Sequence, residues 1–190
     1  MNAILRPALV LFAALTVLCC ALYPAAVTGI GRVVFPEQVA GSIVLREGQP
    51  VGSSLIGQAF TSPKYFWGRP SATASFANNG LASGGANLGP NNPALIDAVK
   101  ARIAAFQEAD PGNTQAIPVD LVSTSASGLD PEISLAAAAY QLPRIARVRH
   151  LSDAAVQTLI DRSSTDRIAG FLGEPRVNVL ALNMALDAAR

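Results

Sequence analysis

The stretch "SGLDPEISLAAAAYQLPRIARVRH", Ser127 to His150, sets Asp130, Glu132 and the only histidine of the chain around an alanine-rich run. Carboxylates within reach of an imidazole are the parts of a hydrolytic or acid/base site. The spacing argues for a plainer role. Asp130 stands just before Pro131, with Glu132 in what would be a first helical turn, so a side-chain cap, a leading proline and negative charge meet at the N-terminal dipole. His150 falls at the end of the same arginine-rich segment, where a cation suits a helix C-terminus. No G-x-S-x-G elbow occurs, so Asp130 is expected as a helix cap and no residue is expected to be catalytic. Pro143 should kink or break the helix near Gln141.

Other chemistries fare no better. A zinc site needs several converging His, Cys or carboxylate ligands, and beyond Cys19 and Cys20 the chain has no cysteine, so no metal is expected. The glycine-rich pieces "VGSSLIGQ" and "ASGGANLGP" lack the lysine of a P-loop and read as surface turns. Charged residues make up 14% of the chain and the net charge is +1, which leaves no basic field for nucleic acid. "KYFWGRPSA" gathers Tyr65, Phe66 and Trp67 beside Arg69. Aromatic residues and arginine anchor many interfaces, so the four are candidates for contact with a partner, while packing of Phe66 and Trp67 in the core is an equal alternative.

The elements that must position these residues begin with an anchor. From Pro7 to Ile30 no charged residue occurs, Arg6 and Arg32 bracket the run, and a bilayer core needs about 20 helical residues. A secretory signal peptide usually has a shorter apolar region, so a retained transmembrane helix is the better reading. Both cysteines fall inside it, and the residues before them, Leu18 and Cys19, do not suit lipidation. Residues 1–6 form a short basic tail, which favours a cytoplasmic N-terminus, residues 7–30 the span, and residues 31–190 an extracytoplasmic domain.

In that domain "VVFPEQVAGSIVLREGQPVGSSLIGQAF" reads as a hairpin or two short strands, and Tyr65 to Pro93 as a long loop. Asn92 and Pro93 start a helix carrying Leu95, Val99, Ile103 and Phe106 on one face, with Lys100, Arg102 and Gln107 elsewhere, that ends near Asp110. Ile117 to Ser125 alternates as a half-buried strand would. Ser152 caps a further helix, and "RVNVLALNMALDAAR" reads as a strand leading into a helix. The expected class is an α+β (mixed α/β) domain preceded by a single N-terminal transmembrane helix.

Several of these pieces together resemble one family, the C subunit of the bacterial Kdp high-affinity potassium-transporting ATPase. They are "GSSLIGQAF", "YFWGRPSAT", "SGGANLGPNNP", "IPVDLVSTSASGLDPEIS", "YQLPRIARVR" and "EPRVNVLALNMAL", in the family's order over nearly the whole chain. The resemblance implies an inner-membrane complex in which a channel-like subunit selects potassium and a P-type ATPase subunit hydrolyses ATP. A very small membrane subunit stabilises the assembly, and this chain completes it without a cofactor of its own. It further implies a catalytic chaperone that raises the ATP affinity of the ATPase subunit, with Gln58 of "LIGQ" toward the nucleotide. A periplasmic domain cannot meet cytoplasmic ATP, so the alternative is a cap over the potassium entrance of the channel-like subunit.

Overall fold

The computed structural model describes residues 2–189, which divide into two compact units at Ile43 and Val44. The first unit is helical: α1 (Asn2–Val17), a π-helical turn (Leu18–Leu22), α2 (Tyr23–Val34) and the single turn α3 (Pro36–Val39). The stretch Ile4–Val34 is 31 residues long, apolar and unburied by protein, which is long enough to cross a bilayer. It extends beyond the expected 7–30 at both ends, because nothing in "NAILR" or "GRVV" stops a helix. The wide turn over Cys19 and Cys20 lies just before Pro24. That proline has no N–H for the carbonyl four residues back and its ring crowds it, which is a recognised cause of such a bulge.

The second unit opens with the hairpin β1 (Ile43–Arg46) and β2 (Gln49–Ser53). Glu47 and Gly48 join the strands with φ of 52° and 78°, the pair of positive values a tight hairpin turn demands. Among the described residues, no helix or strand forms between Ser54 and Asn92. α4 (Pro93–Ala109) then starts as expected: Asn92 accepts a hydrogen bond from the Ala94 N–H, and Pro93 occupies the first position.

The rest of the domain is built from a repeated device. β3 (Glu132–Ser134) runs into α6 (Leu135–Arg149), and β5 (Arg176–Asn178) runs into α8 (Val179–Ala188), each strand's last residue capping the helix it feeds. Ser134 Oγ accepts from Ala137 N–H and Asn178 Oδ1 from Ala181 N–H, both at 3.0 Å. β3 and β5 pair antiparallel with Ile133 opposite Val177, and β4 (Ser164–Thr165) flanks β5 on its other side, in the order β3-β5-β4. α7 (Asp153–Ser163), capped by Ser152, packs between α6 and α8. The core lies where Ile133 and Val177 of the sheet meet Ala137 and Ile145 of α6, Val156 and Ile160 of α7, and Leu182 and Leu186 of α8.

Three expectations are corrected. Asp130 does not cap α6. Its Oδ1 accepts from Glu132 N–H at 3.0 Å in a local turn, but Glu132 to Ser134 pair with β5, so the helix waits until Ser134 can cap it. Ser134→Ala is therefore the substitution expected to cost about 0.5–2 kcal/mol through a lost cap, as read from denaturant unfolding of the detergent-solubilised chain. A variant as stable as the parent would sink that assignment. Ile117 to Ser125 is not a strand: Val119–Val122 form the one-turn helix α5, which buries the neighbours Leu121 and Val122 together, something strict alternation forbids. Of the kink or break expected near Gln141, the break does not occur: α6 is helical from Leu135 to Arg149 with Pro143 inside it. Asn113 Nδ2 donates to the Tyr140 carbonyl at 3.0 Å, supporting the ladder in the turn that the proline weakens.

α6 ends where the sequence placed its cationic residues. His150 takes φ 57° at the C-cap, and Leu151 N–H closes on the Ala146 carbonyl at 3.0 Å.

Candidate functional site

The loop that follows β2 lies across α6 and α8, and its backbone is held by their side chains. Phe66 has no exposed surface, so its N–H and C=O need partners from within the protein. Asn183 of α8 provides both, accepting from Phe66 N–H at 2.9 Å and donating to its carbonyl at 3.0 Å. Gln141 of α6 does the same for Trp67, accepting at 2.8 Å and donating at 3.1 Å. Two buried carboxamides thus stand in for the neighbouring strand that this extended segment lacks.

Arg144 completes the clamp. Its guanidinium donates to the carbonyls of Pro63 and Tyr65 and to Gln141 Oε1, and lies 4.8 Å from the centre of the Trp67 ring. Burial pulls its pKa down to about 10, which still leaves it charged at neutral pH.

One flank of this loop borders a cleft of about 410 Å³. Its walls include Gln58, Phe60, Trp67, Arg69, Arg102 and Phe106. Trp67 and Phe106 pack with ring centres 4.9 Å apart and tilted planes. Arg69 pairs with Asp130 at 2.9 Å and donates to the Thr124 carbonyl at 3.3 Å, while its buried Nε has no acceptor among the described residues. Arg102 donates to the Val122 carbonyl at 2.8 Å, and burial lowers its pKa. Gln58 turns its Nε2 to the Ile56 carbonyl at 3.2 Å. Beside it Gly57 is confined, since a Cβ there would lie 2.6 Å from Asn78 Oδ1 and 2.8 Å from the Asp130 carbonyl. A carboxamide, an aromatic plane and two guanidinium groups in one apolar cleft can bind and orient an anionic, flat or carboxylate-bearing group.

The residues singled out from the sequence are brought together only in part. Gln58, Trp67 and Arg69 share the cleft, and Asp130 holds Arg69. Of the two alternatives open for Phe66, partner contact is corrected in favour of packing: it belongs to the core and offers no surface to a partner. Tyr65 lies half-buried away from the cleft, donating to Asp187 Oδ2 at 3.1 Å beneath the Arg149 guanidinium, 4.9 Å from its ring centre. Arg102 was placed on another face of α4, but it is four residues before Phe106, a spacing that puts both on the cleft side. Gln141 and Asn183 were not singled out at all. Each is a lone amide amid apolar helix residues, and a buried amide needs partners, which was the available signal.

Asp187 ties β1, the loop and α6 to α8 by accepting from Arg46, Tyr65 and Arg149. Burial alone would raise its carboxyl, but the hydrogen bonds from Arg149, Arg46 and Tyr65 outweigh that and hold its pKa below the ordinary value. A lowered carboxylate pKa contributes stability that is present above the unfolded value, about 3.9, and is lost as pH falls through the lowered one. Unfolding measured at pH 5 and again at pH 3 should therefore show a larger loss for the native chain than for Asp187→Asn. Equal losses would mean that the cluster carries no pH-dependent stability.

Comparison with known proteins places this arrangement in a family. The family model described as "KdpC: K+-transporting ATPase, c chain" matches residues 5–188. A relative from Janthinobacterium sp. (strain Marseille) is 64% identical over 187 residues, covering 98% of this chain and 99% of its own. One from Herminiimonas arsenicoxydans is 65% identical over 187 residues, 98% of each chain. A third, from Methylibium petroleiphilum, is 63% identical over 190 residues and the full length of both. All three carry the name potassium-transporting ATPase KdpC subunit. With a match that runs from the apolar helix to the end of α8, the chain belongs to the KdpC family, the c chain of K+-transporting ATPases.

Proposed function

We propose that this chain is a non-catalytic accessory subunit that helps the potassium-transporting ATPase assemble and acts as a catalytic chaperone, raising the ATP affinity of the ATP-hydrolysing partner. The cleft beside Gln58 carries this reading. Trp67 and Phe106 line it with aromatic surface, Arg102 and the Asp130-paired Arg69 put guanidinium groups on its wall, and Gln58 adds a carboxamide. These groups bind and orient; the phosphoryl transfer itself belongs to the partner subunit, and potassium passes through the channel-like one.

Gln58→Ala should raise the KM for ATP of the whole complex about threefold to thirtyfold, the worth of one or two hydrogen bonds, with subunit stoichiometry unchanged. Potassium-stimulated ATP hydrolysis by the purified complex measures it. An unchanged KM removes direct contact between this cleft and nucleotide.

A second reading makes the domain a periplasmic cap that stabilises or gates the potassium entrance of the channel-like subunit in the cell inner membrane. The short basic tail before the apolar helix favours it, because such a tail stays in the cytoplasm and sends the following domain across. The two readings demand opposite sides of the membrane for contact with ATP. A single cysteine at the exposed Ala101, in a chain lacking Cys19 and Cys20, separates them through a membrane-impermeant thiol reagent. Labelling in intact spheroplasts leaves the cap, with any effect on ATP transmitted through the partner. Labelling only after the inner membrane is opened removes it.

A further inference from the structure

The two guanidinium groups on the wall of the cleft are not equivalent. Arg69 is already engaged: it pairs with Asp130 at 2.9 Å and donates to the Thr124 carbonyl, so its charge is met within the protein. Arg102 has no such partner. One of its five N–H donors reaches the Val122 carbonyl at 2.8 Å, and among the described residues no carboxylate pairs with it. Burial without a counter-ion lowers its pKa, the mark of a cation in partly desolvated surroundings. A charge so placed attracts an anion, because pairing offsets part of the solvation it has lost.

The surroundings of Arg102 specify the rest of the ligand. Phe60, Trp67, Ala105, Phe106 and Leu121 make the walls mainly apolar. Arg102, Ala105 and Phe106 stand at positions i, i+3 and i+4 of α4, so the free cation and the aromatic surface share one helix face, about one turn of 5.4 Å apart. Phe106 in turn packs on Trp67, with ring centres 4.9 Å apart. The cleft, at about 410 Å³, has the size of a small-molecule site. It suits a flat apolar body that carries one anionic group. A bare inorganic ion would leave the aromatic walls uncovered, and a neutral molecule would leave Arg102 unpaired.

We propose that Arg102 is the specificity-determining residue of this cleft, recognising the single anionic group of a flat organic anion whose apolar body lies against Trp67 and Phe106. This rests on the reading of the cleft as a ligand site and narrows it; a mononucleotide and an aryl phosphate both have the required chemistry. Trp67 is the only tryptophan, so its fluorescence in the detergent-solubilised chain reports occupancy directly. The probes are two matched pairs, AMP with adenosine and phenyl phosphate with phenol, together with inorganic phosphate. In at least one pair the phosphorylated member should bind about tenfold or more tighter than its neutral partner and than inorganic phosphate, the worth of one charge-assisted hydrogen bond. Arg102→Met should abolish that preference and Arg102→Lys should keep much of it. Arg69→Lys, which preserves a cation against Asp130, should leave it unchanged. A preference that survives in Arg102→Met, a loss in Arg102→Lys as complete as in Arg102→Met, a loss in Arg69→Lys, or no response to any probe overturns the proposal. Binding of phenyl phosphate without AMP upholds the role of Arg102 and removes the nucleotide from the cleft, in which case Gln58→Ala should also leave the KM for ATP unchanged.

Discussion

Replacing Arg144 with methionine is expected to cost about 3–5 kcal/mol of stability, the largest loss from any single polar residue in the domain. The side chain is 1% exposed and carries its charge into the interior with no ion-paired carboxylate among the described residues, Asp110 acting on it only through space. Instead its charge is spread over the carbonyls of Pro63 and Tyr65, the Gln141 amide oxygen and the face of Trp67. Methionine keeps the apolar stem, but leaves two part-buried carbonyls and one buried amide oxygen without that donor. Arg144→Lys should recover only part of the loss, because an ammonium cannot span the same fork of acceptors or stack on the ring. Denaturant unfolding of the detergent-solubilised chain reads the effect directly. A loss below about 1 kcal/mol would show that the loop is held by packing alone.

Asn183→Leu should come second, at about 2–5 kcal/mol, since it strands both the N–H and the C=O of a fully buried Phe66. Leucine shares asparagine's branched shape, is bulkier and suits a helix better, so neither cavity formation nor propensity explains a loss. Asn183→Asp should fail to rescue it. A carboxylate can accept from Phe66 N–H but cannot donate to its carbonyl, and it adds a charge to the interior. Trp67 is the only tryptophan, so its fluorescence reports the same event: release of the segment should shift its emission to the red together with faster hydrogen exchange at residues 66 and 67. Unchanged emission and unchanged stability together would mean that the carboxamide pairs follow the loop's position and do not set it.

These two substitutions differ from Ser134→Ala in kind. A cap acts within three residues of itself, whereas Asn183 and Gln141 reach 117 and 74 residues along the chain to Phe66 and Trp67. The cleft inherits its shape from those long reaches. Trp67 is a wall of the cleft because Gln141 fixes its backbone and Phe106 its ring, and Arg69 follows two residues later on the same fixed segment. Changes at Gln141 or Asn183 should therefore disturb any function of the cleft without touching what it binds.

What the sequence by itself determined was everything written in neighbouring residues. The apolar run that becomes α1 and α2, the start of α4 at Asn92 and Pro93, the Ser152 cap of α7 and the strand-to-helix step at "RVNV" all depend on hydropathy or on a cap that acts within a turn. The tertiary structure alone decided the rest. Asp130 looked like a cap because its neighbours fit one, yet β5 claims Glu132 to Ser134 for a sheet and moves the helix start four residues on. Ile117 to Ser125 alternated like a strand but found no strand to pair with, and a single turn buried Leu121 and Val122 instead. Arg102, Gln141, Arg144 and Asn183 became the cleft wall and the clamps through partners 20 to 117 residues away. A hydrogen bond across such distances leaves no local periodicity, because what selects it is the cost of a buried, unpaired backbone, and that cost exists only once the chain has folded.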